Sequence, residues 1–156
     1  MASGRAVVAA AALLAGCFNF GDNNTGPGEQ IDVTGTWEGE LRVALGADTL
    51  VGLAEFVFDQ DANSGDLTGT LEFAPLGDLV MLEESQVHTT QVDLHTRHVD
   101  TGTDDCHEYA QRWDLRSFAG ELRLTTMTGD FCEPGGAGGQ TVVRQITGAS
   151  GTFIRR

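Results

Sequence analysis

From residue 31 onward, apolar and polar side chains alternate almost one for one, the pattern of strands with one dry face and one wet face. Trp37, Leu41, Val43 and Leu45 share one parity, and Glu38, Glu40 and Arg42 the other. Residues 50–58 are the most apolar stretch, with Ala54, Phe56 and Phe58 on one side and Val51, Leu53 and Val57 on the other, which predicts a strand covered on both faces. Residues 67–73 alternate again, and 79–82 form a short apolar run. Residues 86–99 read as one strand, with Val92 and Leu94 opposed to Gln91, Asp93 and Arg97. Residues 107–115 place Tyr109, Trp113 and Leu115 together, 121–127 place Leu122 and Leu124 together, and 141–154 read as a last strand or pair. Short Gly, Asp and Asn steps separate these runs, as at Gly46-Ala47-Asp48, Ala62-Asn63-Ser64-Gly65 and Phe118-Ala119-Gly120. None of the segments has a helical period. The prediction is an all-β domain, a single antiparallel up-and-down barrel of about eight strands, with a two-sheet sandwich as the alternative.

The first thirty residues follow another rule. Arg5 precedes an apolar run over residues 6–14 and the small residues Ala15 and Gly16, the outline of an export signal. The run is too short for a span of about 20 apolar residues. Leu14-Ala15-Gly16-Cys17 closely resembles the bacterial lipobox. The resemblance implies a signal peptide over residues 1–16, cleavage before Cys17, and acyl chains on Cys17 that attach the protein to a membrane. Residues 17–30, rich in Gly, Asn and Asp, read as a flexible tether, leaving 31–156 as the barrel domain. Phe18 stands where some lipoproteins carry an inner-membrane retention Asp, so the same resemblance favours the outer membrane of a bacterial envelope.

Charge narrows the partners. All nine basic residues are Arg, and removing Arg5 with the signal leaves eight against 23 acidic residues, a formal −15. Such a surface repels nucleic acid and anionic headgroups, which leaves covalent lipid as the means of holding a membrane. Three cysteines are an odd set for an exported chain. With Cys17 given to lipid, Cys106 and Cys132 remain to pair, or to stand as two buried thiols.

Val33-Thr34-Gly35-Thr36-Trp37 resembles the opening of the lipocalin and avidin barrels, the calycin type, in which Gly-x-Trp begins the first strand. The resemblance implies a basic residue near the end of the last strand packed over that Trp. Arg155 is the matching position, with Arg156 next in line. In avidins an Asn two residues and a Ser six residues beyond the Trp hold biotin. Here those positions are Gly39 and Val43, so a biotin site is not implied.

Chemistry-bearing motifs are sparse. Phe56, Leu71, Tyr109 and Trp113 are the candidate lining of an apolar ligand cavity, in a barrel that is either hollow or filled. Asp59, Asp61, Asn63 and Asp66 place oxygens at nearly alternate positions, a weak calcium candidate. Ser64 and Thr70, however, replace the turn glycine and bidentate Glu of a calcium loop, and a polar hairpin turn is the plainer reading. His95 and His98, three apart on a strand, point to opposite faces, so no metal is expected there. No nucleophile elbow, P-loop or dinucleotide fingerprint occurs, and no cofactor is implied. The sequence reading is a lipid-anchored binding or structural module, with a small apolar ligand or an envelope protein as partner. A lipocalin-like carrier is the alternative, and an envelope hydrolase on scattered carboxylates the least favoured.

Overall fold

Strand positions follow the alternation closely in the computed structural model, which describes residues 30–75, 77–81, 83–98, 109–133 and 142–156. Ten strands occur among them: β1 Gly35–Leu45, β2 Asp48–Gln60, β3 Leu67–Phe73, β4 Gly77–Met81, β5 Gln86–His88, β6 Gln91–His98, β7 Ala110–Phe118, β8 Glu121–Glu133, β9 Val142–Gln145 and β10 Gly148–Arg155. No helix occurs among the described residues. The signal segment, Cys17, the tether through residue 29, Cys106 and His107 lie outside them.

All pairings are antiparallel, and neighbours in space are mostly neighbours in sequence. The order β10-β1-β2-β3-β4-β6-β7-β8 closes through β10 pairing with β8, giving an eight-stranded barrel rather than a sandwich. Closure leaves no open edge in the ring, which removes the templates for edge-to-edge aggregation. β5 folds back on β6, and β9 extends the β8 ladder at its far end. Between β9 and β10 the chain transfers from β8 to β1: the Ile146 amide donates to the Gly129 carbonyl at 3.0 Å, and the next amide, of Thr147, donates to the Ala44 carbonyl at 2.8 Å.

Two expectations are corrected. Residues 50–58 are not covered on both faces, because Val51, Leu53 and Val57 lie exposed on the outer wall. Period-two alternation fixes which residues share a face, but an apolar outer set carries no mark of whether another layer covers it. Residues 86–99 are not one strand either. A two-residue turn at Thr89-Thr90 separates β5 from β6, with His88 opposite Gln91. Thr89 takes a positive φ of 50°, a conformation usually left to Gly or Asn, so the turn carried no composition signal. Tertiary contacts hold it, since the Thr89 carbonyl accepts from the Ile31 amide and the Thr90 carbonyl from the Ser117 amide.

The core is the barrel interior. Phe56 sits at its centre, edge-on to Phe153 at 4.7 Å and to Trp113 at 5.8 Å, and stacked on Phe58 at 5.4 Å. Two features let the wall curve around it. Thr125 on β8 is an extra residue opposite the Asp114/Leu115 step of β7, a bulge that bends both strands and switches the inward parity from Leu124 to Met127. At Gly39 and Gly69 a Cβ would lie 2.0 Å and 1.8 Å from carbonyl oxygens of the neighbouring strand, so only glycine permits the approach.

Candidate functional site

The Gly-x-Trp start of β1 meets the end of β10. Trp37 pairs directly with Arg155 across β1 and β10. The Arg155 guanidinium lies over the Trp37 ring, 6.0 Å from its centroid, and also hydrogen-bonds the Thr34 carbonyl and the Asp32 carboxylate, the latter at 3.4 Å. The Trp37 indole N–H donates to the Val33 carbonyl at 2.7 Å, and the Val33 amide donates to Gln60 Oε1 at 2.9 Å. Gly35 takes a φ of 119°, a conformation that side chains other than glycine's rarely adopt. Asp32 is held below the ordinary carboxylate range by the Thr34 amide, with Arg155 adding to the effect. Arg156 turns outward and forms ion pairs with Glu38 and, at 3.6 Å, with Glu55.

Most of the side chains proposed to line an interior cavity are buried. Phe56 and Leu71 have no accessible area and Trp113 is 1% exposed, which leaves no water-sized void beside the first two. Three of the four proposed ligand-lining residues are thus core, and Tyr109 is half-buried just before β7. Sequence reasoning passed over a polar relay beside them. Trp113 Nε1 donates to Thr96 Oγ1 at 2.9 Å, Thr96 Oγ1 donates to Gln111 Oε1 at 2.9 Å, and Gln111 Nε2 donates to the Asp130 carbonyl at 2.8 Å. Thr96 and Gln111 are buried in full and His98 nearly so. Polar residues at dry-face positions of β6 and β7 were the available signal. Each hydrogen bond satisfies a group that would be costly to bury alone.

The oxygen-rich turn is self-contained. Asp61 accepts from the amides of Asn63 at 2.8 Å and Ser64 at 2.9 Å, which holds its carboxyl below the ordinary aspartate range. Asp66 accepts from Ser64 Oγ at 2.8 Å and from Gln86 Nε2 at 3.0 Å. The Asp61 and Asp66 oxygens therefore serve the turn between β2 and β3, with Asp59 at the end of β2 and Asn63 supplying an amide. Among the described residues no group of three or more His, Cys, Asp or Glu is gathered to hold a metal ion. His95 faces outward against Glu84 at 2.7 Å and His98 faces inward, as their spacing predicts. Cys132 is fully buried on β8, opposite Val143 of β9.

The outer wall is uneven in charge. In register across four strands, Glu38 of β1 stands opposite Glu55 of β2, Glu55 opposite Glu72 of β3, and Glu72 opposite Asp78 of β4. Like charges directly opposite one another destabilise a sheet. Arg156 offsets the Glu38 and Glu55 end of this row, while among the described residues Glu72 and Asp78 have no ion pair. Leu53 and Val57 flank Glu55 on β2, and Ile154 of β10 stands beside Glu38, all three exposed.

No protein-family model matches the chain, and no curated protein is similar to it in sequence. Among solved structures, the chain is similar to the vaccine antigen transferrin binding protein B, a Trp-176-Ala mutant from Haemophilus parasuis Hp5. The identity is 17%, the TM-score 0.37, and the match covers 79% of this chain. The chain spans 27% of that protein's length. At that overlap the architecture rests on the strand pairing described above.

Proposed function

We propose that this chain is a lipid-anchored envelope protein whose barrel is a binding module working through its outer wall. The single observation that carries the second half is the contrast between the buried Phe56, Leu71, Trp113 and Phe153 and an exposed apolar set on β2 and β10. A carrier of a small apolar ligand would have to part Phe56 from Trp113 and Phe153 before anything could enter. A solid barrel with an exposed patch suits an envelope protein as partner. The junction where β1 begins and β10 ends, with Arg155 over Trp37, then seals the interior.

The anchor rests on the lipobox resemblance. In this reading residues 1–16 are removed, Cys17 carries lipid, residues 17–30 are the tether, and the outer membrane is the destination. Cys106 and Cys132 pair, closing a loop that would stabilise the domain by roughly 3 kcal/mol in the chain-entropy view. The −15 surface leaves covalent lipid as the means of attachment. No nucleic acid partner, cofactor or catalytic group enters the proposal.

Intact mass measurement of the protein extracted natively from envelopes tests both halves. The expected mass is that of a chain starting at an acylated Cys17 with no small molecule retained, and Cys17→Ser should move the protein to the soluble fraction. An unmodified residue 17 overturns the anchor. A lipophilic molecule retained at one per chain overturns the solid module in favour of a carrier.

A further inference from the structure

The outer-wall reading leaves the partner's chemistry open, and the side chains of β1–β4 narrow it. Glu38, Glu55, Glu72 and Asp78 form a row across four adjacent strands, about 14 Å long at the usual spacing of about 4.8 Å between strands. Beside its middle, Glu55, Val57, Thr70, Leu71, Glu72 and Asp78 line a surface pocket of about 230 Å³. This is smaller than the roughly 300 Å³ at which small-molecule sites begin, and suits one side chain of a larger partner. Its walls carry three carboxylates and its lip an exposed valine. The chain's own Arg156 pairs with Glu38 and reaches Glu55 at 3.6 Å, so among the described residues Glu72 and Asp78 are the pocket carboxylates without an ion pair.

Charge and apolarity are adjacent here. Leu53 is 53% exposed and Val57 43%, on either side of Glu55 along β2, and Ile154 is 58% exposed next to Glu38. A free polycation would use the carboxylates and ignore these side chains. A basic protein segment with apolar residues beside its Arg or Lys would use both. Resting on the outer-wall reading above, we propose that the outer face of β1–β4 docks a basic, amphipathic segment of another protein. One Arg or Lys of that segment enters the Glu55, Glu72 and Asp78 pocket, and its apolar neighbours cover Leu53 and Val57. A helix laid across the strands offers a side chain on one edge about every 5.4 Å, close to the step of the row.

The test uses the full chain and a stated probe: a 20-residue helical peptide with Lys once per turn along one edge and Leu beside it. The controls are a scrambled peptide of the same composition and spermine. Fluorescence anisotropy should show the patterned peptide binding at least tenfold more tightly than the scrambled one. Glu72→Gln/Asp78→Asn and Leu53→Ser/Val57→Ser should each weaken it at least tenfold, with thermal midpoints showing that both variants fold. Equal binding of the two peptides overturns the proposal. So does spermine binding that is unaffected by Leu53→Ser/Val57→Ser, which would mark a simple cation site. Light scattering that shows dimers, lost in the same variants, would assign the face to a second copy and overturn it as well. A photo-crosslinker at position 57 in cells separates the two levels. Crosslinking to an envelope protein that persists in Glu72→Gln/Asp78→Asn keeps the outer-wall reading and rejects the basic partner, whereas no crosslinking rejects both.

Discussion

Thr96 shows how one buried hydroxyl can matter more than a methyl of the same size. It accepts from the Trp113 indole and donates to Gln111, so Thr96→Val orphans two polar groups at once in a buried site. Each orphaned group costs about 1–3 kcal/mol. Urea titration of Thr96→Val should show a loss in that range or above. Replacing the relay as a whole, as Thr96→Val/Gln111→Leu/Trp113→Phe, should cost less than the sum of the single changes, because apolar partners leave nothing unsatisfied except the Asp130 carbonyl. Arg155 belongs to the same scale. It unites an aromatic face, a carbonyl and a carboxylate where β1 begins and β10 ends, which a Lys with a compact ammonium could not do with equal geometry.

At the scale of elements, turns and glycines set the wall. Ala119 takes a φ of 52° before Gly120 at 84° in the two-residue turn between β7 and β8, a geometry that favours Asn-Gly. Ala119→Asn should therefore stabilise the domain by about 1 kcal/mol, read as a raised urea midpoint at constant slope. Gly39→Ala acts oppositely. Its Cβ meets the Thr152 carbonyl, and the separation of β1 from β10 should cost about 1–3 kcal/mol in the same assay. The turn after β2 gives a pH dependence. The folded pKa of Asp61 lies below its unfolded value of 3.8, so the turn's contribution is present above that value and lost as pH falls through the depressed one. Amide signals of Asn63 and Ser64 should shift in that acid window, and Asp61→Asn should abolish the transition while keeping the turn.

For the whole molecule, charge is the dominant long-range quantity. A chain of formal charge −14 repels itself, the row on β1–β4 included, so raising ionic strength from about 0.01 to 0.15 M should raise the thermal midpoint as the Debye length falls from about 30 to 8 Å. Gln at Glu72 with Asn at Asp78 should reproduce part of that gain at low salt.

The same scale separates what each level of description decided. Most strand positions, most inward faces and the all-β class were legible from alternation alone, because side chains on a strand must alternate and a single sheet-lined core needs one dry face per strand. Trp37 and Arg155 could be named from sequence because a short motif marks one and the chain's last strand the other. The β5–β6 turn was not legible, since Thr89-Thr90 lacks turn chemistry and is held by carbonyls that accept from Ile31 and Ser117, distant in sequence. The exposure of Val51, Leu53 and Val57, the burial of Phe56, Leu71 and Trp113 and the alignment of Glu38, Glu55, Glu72 and Asp78 were decided by the tertiary structure alone. Register between strands and the presence or absence of a covering layer are properties of pairs of segments, and no single segment's composition encodes them.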